Sequence, residues 1–120
     1  MRIRFFYIPF FIFLFFIPAA AQTIFTDVLV IGGGTGGVAA GIQSARQKAK
    51  TIITEPTPWL GGMLTAAGVS CTDGNHNLPS GLWEEFRQQL YIHYGTKNLA
   101  TGWVSNTLFE PHVGDSIFKA

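Results

Sequence analysis

The chain has 120 residues, of which 48% are hydrophobic and 12% charged, and its formal net charge is +1. This length suits one domain or part of one, and the near-neutral charge argues against a nucleic-acid surface, because phosphate contacts need a dense cluster of Lys and Arg. Cys71 is the single cysteine, which excludes an intrachain disulfide framework and a zinc site with several thiolates.

The N-terminal segment has the composition of a targeting signal. Two arginines near the start precede an apolar, phenylalanine-rich run over residues 5–17, and a proline and three alanines follow it up to Ala21. This order is typical of a secretory signal, so we expect residues 1–21 to be a signal peptide and residues 22–120 to be exported to the periplasm or the extracellular space. The alternative is an uncleaved anchor, although a membrane span needs roughly 20 apolar residues.

The next segment predicts a strand, a helix and a second strand. Residues 27–31 form a short apolar run rich in β-branched side chains, the pattern of a parallel strand covered on both faces. Residues 38–48 contain no proline and favour a helix that begins near Thr35, and residues 51–54 predict another short strand. This order indicates an α/β fold class with a Rossmann-like βαβ unit and parallel strands.

A glycine motif joins the first strand to the helix, with Gly-x-Gly-x-x-Gly at Gly32, Gly34 and Gly37. In this context the motif predicts a dinucleotide site, because bare backbone can approach a pyrophosphate and the helix N-terminus faces its negative charge. Glu55 follows Gly32 by 23 residues, near the roughly 20 expected of a carboxylate that binds a ribose diol. That carboxylate disfavours NADP, because it would repel a 2′-phosphate. The alternative is a plain glycine-rich turn, and the absence of Gly-Lys-Ser/Thr excludes a P-loop.

The motif alone serves both NAD and FAD. A second glycine pair, Gly61 and Gly62, follows the acid. The run over residues 27–70, with GGGTGGVAAG, the acid in TIITEP, and WLGGMLTAAGVS, resembles the N-terminus of FAD-dependent oxidoreductases of the glutathione-reductase-like superfamily. More narrowly, it resembles the FAD-dependent oxidoreductase family of many secreted bacterial proteins. Where helices of that family usually end in glycine, this chain has Lys48-Ala49-Lys50.

The resemblance implies that FAD is the cofactor. Its implied binding residues are Gly32, Gly33, Gly34, Thr35, Gly36, Gly37, Glu55, Gly61 and Gly62. Family members continue for several hundred residues, so we expect an N-terminal fragment in which residues 22–120 are part of an incomplete FAD-binding domain, inactive alone. The full-length protein would oxidise or reduce a small organic substrate through the flavin. The alternatives are an NAD-dependent dehydrogenase fragment and a non-catalytic nucleotide-binding remnant.

The remaining sequence predicts structure more clearly than chemistry. Residues 79–94 favour a helix with Ser80 as a possible N-cap and Gly95 as its end. Its aromatic and leucine side chains recur at helical spacing, which indicates a core face more than a ligand contact. Residues 116–120 predict the opening of a further helix.

A polar stretch over residues 70–77 predicts a loop. Cys71, Asp73 and His76 lie there, but their spacing matches no metal site or nucleophilic constellation, so we expect no metal. Catalytic residues are not predicted. We expect no nucleic-acid partner and no stable membrane association after signal cleavage.

Overall fold

The computed structural model describes residues 21–100 and 106–120. The elements in chain order are β1 (Val28–Ile31), α1 (Thr35–Arg46), β2 (Thr51–Thr54), a 3₁₀ turn (Gly62–Leu64), β3 (Cys71–Thr72), α2 (Gly81–Tyr94), β4 (Thr107–Leu108) and α3 (Pro111–Lys119). The expected signal peptide, apart from Ala21, lies outside the described residues. Within the described ranges, no helix is long and apolar enough to span a bilayer.

β1 and β2 form a parallel pair in which Val28 lies opposite Thr51. The crossover helix α1 packs on one face of this pair. A Cβ atom added at Gly41 would clash with the side chain of Ile53, so the absence of a side chain lets the helix lie close to the strand. The predicted order of strand, helix and strand is confirmed, and the parallel pair is consistent with a Rossmann-like unit.

The two faces of β1 differ in burial. Val28 and Val30 are half-buried beneath α1, whereas Leu29 is 54% exposed and Ile31 is 84% exposed. The prediction that both faces are covered is therefore wrong for the part of the chain that the structure describes. Side chains alternate along a strand, and the single helix against this sheet reaches one face only.

Helix α1 ends at Arg46 without a glycine. Lys48 takes the left-handed conformation there, with φ of 67°, which glycine adopts more readily. The amide of Lys50 then donates to the carboxylate of Asp27 at 2.8 Å, which joins the start of β2 to the start of β1. The departure from the usual helix end therefore changes the residue at the turn and leaves the strand pairing intact.

Two of the later elements differ from their predictions. β3 pairs with β4 in antiparallel fashion, with Cys71 opposite Leu108, inside the stretch predicted as a loop. No local sequence pattern predicts this pairing, because the partner strand lies far along the chain. The last helix begins at Pro111, ahead of the predicted opening at residue 116. Proline suits the first turn of a helix, since its missing N–H has no intrahelical acceptor there.

The main apolar core lies between α2 and α3. The Phe86 ring stacks on that of Phe118 with centroids 4.8 Å apart and meets Phe109 edge-on at 5.2 Å. The buried members of this cluster are Phe86, Leu90, Leu99, Phe109 and Val113. The prediction that these α2 side chains form core is confirmed, and Gly95 ends α2 with φ of 66°. Ser80 lies at the N-cap, although its side chain makes no capping bond.

Candidate cofactor-binding site

The glycine motif lies where β1 ends and α1 begins. Gly32 has φ of 96° and its amide donates to the carbonyl of Thr54 at 2.9 Å, so the turn starts while the chain is still paired with β2. A Cβ atom at Gly37 would clash with the carbonyl oxygen of Gly32. Glycine at this position therefore lets the first turn of α1 lie directly against the end of the strand.

The N-terminus of α1 faces open space. Gly34 is its N-cap, and no side chain caps the helix there. The first N–H groups of a helix have no intrahelical acceptor, and together with the helix dipole they favour an anion. A Cβ atom built at Gly34 or at Gly36 meets no heavy atom within 4 Å. The turn therefore leaves room for a phosphate group to approach bare backbone.

Glu55 lies beside this turn, immediately after β2. Its Oε2 accepts a hydrogen bond from the amide of Gly33 at 2.7 Å. Its Oε1 accepts from the amide of Thr57 at 3.0 Å and from the Thr57 hydroxyl at 2.8 Å. A carboxylate has about four acceptor positions, of which these bonds use three. Glu55 is half-buried and keeps one position for a further donor.

These three donors also set the charge of Glu55. The Thr57 amide, the Thr57 hydroxyl and then the Gly33 amide hold the pKa of Glu55 below its ordinary value, against a smaller opposing effect of desolvation. The carboxylate is therefore ionised at neutral pH. An ionised acceptor suits a hydroxyl group and repels a phosphate ester.

The second glycine pair contacts the first motif through backbone atoms. The amide of Gly61 donates to the carbonyl of Gly33 at 2.7 Å, and Gly61 forms an isolated parallel bridge with Gly34. Gly61 and Gly62 have φ values of 107° and 55°, a region that favours glycine. The structure thus brings Gly33, Gly34, Glu55 and the pair at 61–62 into one place.

Residues that the sequence analysis did not identify hold this arrangement. Thr57 binds Glu55, and its hydroxyl oxygen, which has one proton to donate, also lies 2.9 Å from the carbonyl of Trp59. A threonine two residues after an acid is a local turn signal that could have been recognised. Asp115 accepts from the amide of Leu60 at 2.8 Å, across 55 positions of sequence. No local pattern could have revealed that contact.

The polar stretch over residues 70–77 is the other region in which the sequence places reactive side chains. Cys71 belongs to β3, and His76 Nδ1 lies 3.3 Å from the side-chain amide of Asn106. Across residues 21–100 and 106–120, no group of three or more His, Cys, Asp or Glu side chains could hold a metal ion. The site around Gly33, by contrast, offers backbone donors, which suit a phosphate, and a carboxylate, which suits a hydroxyl group.

Comparison with known proteins adds one family. The model of the FAD-dependent oxidoreductase family matches residues 27–120, a range that begins just before β1 and includes α3. No curated protein and no solved structure matches the chain. The family match covers every residue of the site described above.

Proposed function

Because the chain belongs to the FAD-dependent oxidoreductase family, and FAD is thus its cofactor, we propose that the turn between β1 and α1 binds the adenosine diphosphate part of FAD. Bound FAD supplies hydride or electron chemistry, while the protein determines how the cofactor is held. The family supports a general oxidoreductase function. We further propose that the substrate is a small organic molecule.

The observation that carries this proposal is the open N-terminus of α1. Gly34 and Gly36 leave space beside main-chain amides, and the helix dipole favours negative charge at that place. The pyrophosphate would lie against residues 32–37 without a lysine or arginine. Gly61 and Gly62 would approach the phosphates or the flavin from the other side of the turn. Because glycines leave the backbone of both segments uncovered, the phosphates of FAD could approach its atoms closely.

Glu55 would bind the adenosine ribose. Its remaining acceptor position suits a ribose hydroxyl, and its negative charge opposes the 2′-phosphate of NADP. Its bond to the Gly33 amide couples the carboxylate to the phosphate-binding turn. The same carboxylate would therefore bind the sugar and hold the loop that meets the phosphates.

Two further proposals concern the protein as a whole. We propose that residues 1–21 are a signal peptide and that the protein is exported, on the composition of that segment alone. We also propose that the FAD-binding unit includes further polypeptide, which would cover Leu29 and Ile31. Their exposure supports this, because strands of parallel sheets are ordinarily buried on both faces.

Glu55→Gln in the full-length protein tests the assignment of the ribose. We expect it to weaken FAD binding about 10-fold or more, because a charge-assisted hydrogen bond to the ribose is lost. FMN keeps one phosphate but lacks the adenosine, so its affinity should fall less than that of FAD. Flavin fluorescence titration measures both affinities. Glu85→Gln, an exposed acid on α2, is the matched control and should bind FAD as the wild type does.

The changes in FAD affinity and in FMN affinity together decide whether Glu55 binds the adenosine ribose. An unchanged FAD affinity in Glu55→Gln, or an equal loss for FAD and FMN, contradicts the proposed contact between Glu55 and the adenosine ribose. Failure of the wild-type protein to bind FAD contradicts the whole assignment of the turn.

A further inference from the structure

The segment over residues 58–62 is held from one side by helix α3. Asp115 Oδ1 accepts the amide of Leu60 at 2.8 Å, and Lys119 Nζ donates to the carbonyl of Pro58 at 2.7 Å. Lys119 Nζ also donates to Asp115 Oδ2 at 2.6 Å, so one ion pair supplies both bonds to the segment. The Leu60 amide that it binds lies one residue before the second glycine pair.

A second contact completes the hold on Leu60. The hydroxyl of Thr65, which is buried with 1% exposure, donates to the Leu60 carbonyl at 2.5 Å. Both polar groups of this residue's backbone are therefore bonded to side chains. The Phe118 ring of α3 packs against the next residue, Gly61, where an added Cβ atom would clash with it. The backbone at residues 60 and 61 is thus fixed by three side chains.

The held segment contacts the phosphate-binding turn directly. Gly61 donates to the Gly33 carbonyl at 2.7 Å, and a Cβ atom at Gly62 would lie 3.0 Å from the Cα atom of Gly34. A displacement of residues 60–62 would therefore move atoms that border the proposed pyrophosphate site. The path from α3 to that site is a chain of hydrogen bonds and close contacts.

Because Asp115 is nearly buried, its charge depends on the partners that bond to it. Its carboxylate is nearly buried, with 12% side-chain exposure, and both of its oxygens have partners. Burial alone would raise the pKa of Asp115, but Lys119 and the Leu60 amide more than offset it and hold that pKa below its ordinary value. A nearly buried charge at this position costs free energy unless its partners are in place, so it resists movement of the segment.

We propose that Asp115 and Lys119 are positioning residues for FAD binding, which fix residues 58–62 so that the glycine pair is placed against the phosphate-binding turn. Neither side chain touches the cofactor in this proposal. It rests on the proposed function, because it assumes that FAD lies against that turn.

Three α3 variants of the full-length protein test the role of the pair. Asp115→Leu removes the acceptor for the Leu60 amide and should weaken FAD binding about 10-fold, whereas Asp115→Asn keeps an oxygen there and should lose about 3-fold or less. Lys119→Met removes the bond to Pro58 and should lose about 3-fold. Ser116→Ala is the control, because its exposed hydroxyl donates to the His112 carbonyl of the same helix, and it should match the wild type.

Affinity is measured at a temperature at which circular dichroism shows every variant folded. This separates positioning from stability, because a purely structural pair would lower the unfolding temperature and leave the FAD affinity of folded protein unchanged. That result for Asp115→Leu and Lys119→Met overturns the proposal. If Asp115→Leu does not fold, Lys119→Met decides alone, since its side chain is 46% exposed.

The Glu55→Gln variant in the same titration distinguishes the two proposals. A loss of FAD affinity in Glu55→Gln with none in the α3 variants retains the ribose contact and rejects the positioning role. A loss in the α3 variants with none in Glu55→Gln retains the positioning role and rejects the ribose contact.

Discussion

The part of the chain that contains β1, α1 and β2 is stabilised differently from the part that contains α2 and α3. In the first part, glycine allows close backbone contacts. Among the described residues of β1, α1 and β2, Val38 is the only buried hydrophobic side chain. In the second part, stacked aromatic rings and leucines form the core. A cleft of about 740 Å³ lies between α1 on one side and α2 and α3 on the other. The proposed FAD site therefore lies in the part with few buried side chains, and the apolar core lies in the other part.

Among the described residues, charged side chains connect these parts at two places. Arg46 of α1 forms a bidentate pair with Glu85 of α2, at 3.0 and 2.5 Å, across exposed surface. The bond that Asp115 accepts from the Leu60 amide is more buried, whereas the bond from Lys119 to the Pro58 carbonyl is exposed. Exposed ion pairs contribute little because water screens them. The bond between Asp115 and Leu60 is therefore the stronger connection between the core and the proposed cofactor site.

The largest expected effect comes from the core. Phe86→Ala removes a buried ring that contacts three other aromatic rings, and we expect it to lower the free energy of unfolding by ~3–5 kcal/mol. Chemical denaturation of the protein measures the change. Ile92→Ala on the same helix is the control, because that side chain is 72% exposed and should have little effect. A small loss in Phe86→Ala would mean that stability does not come from this core.

Gly34→Ala tests the other part, where access should matter more than stability. The backbone of Gly34 has φ of −64° and ψ of 178°, which alanine adopts, and the added methyl group meets no protein atom within 4 Å. The free energy of unfolding should therefore change by less than about 1 kcal/mol. The methyl group would occupy the proposed pyrophosphate position, so FAD should bind about 10-fold more weakly or worse.

Titration with FAD and denaturation of the same Gly34→Ala sample give both quantities. A stability loss as large as that of Phe86→Ala, or an unchanged FAD affinity, would remove the distinction between the two parts.

Local sequence sufficed for the first part of the fold. The strands, the glycine turn and the start of α1 at Thr35 each depend on residues within a few positions, and all were predicted. Glu55 was singled out by its distance from the motif. The structure adds that its carboxylate bonds to the Gly33 amide, a contact that spacing alone does not specify.

Local sequence patterns could not predict contacts between residues that are far apart in the chain. The pairing of β3 with β4 and the bond from the Leu60 amide to Asp115 depend on how the chain folds back on itself. The exposure of Leu29 and Ile31 likewise depends on which elements cover the sheet, and an apolar strand sequence cannot specify that. Lys48 in the left-handed conformation shows that one such turn does not require glycine.

Thr57→Val should have the smallest effect, because it changes one hydroxyl beside the proposed site and leaves the core untouched. The Thr57 hydroxyl stabilises the ionised form of Glu55, so its removal should raise the pKa of Glu55 toward the ordinary value of 4.5 while the amide bond remains. Near neutral pH both proteins keep Glu55 ionised, and FAD affinity should fall only about 3-fold through looser placement of the carboxylate.

The pH dependence gives the sign of this effect. A carboxylate with a lowered pKa contributes to folding and binding above its ordinary pKa and loses that contribution as the pH falls through its lowered value. The decline in FAD affinity on acidification should therefore begin at a higher pH in Thr57→Val than in the wild type. Thr57→Ser keeps a hydroxyl and should restore the wild-type profile. Coincident profiles for Thr57→Val and the wild type would show that the Thr57 hydroxyl does not set the charge on Glu55.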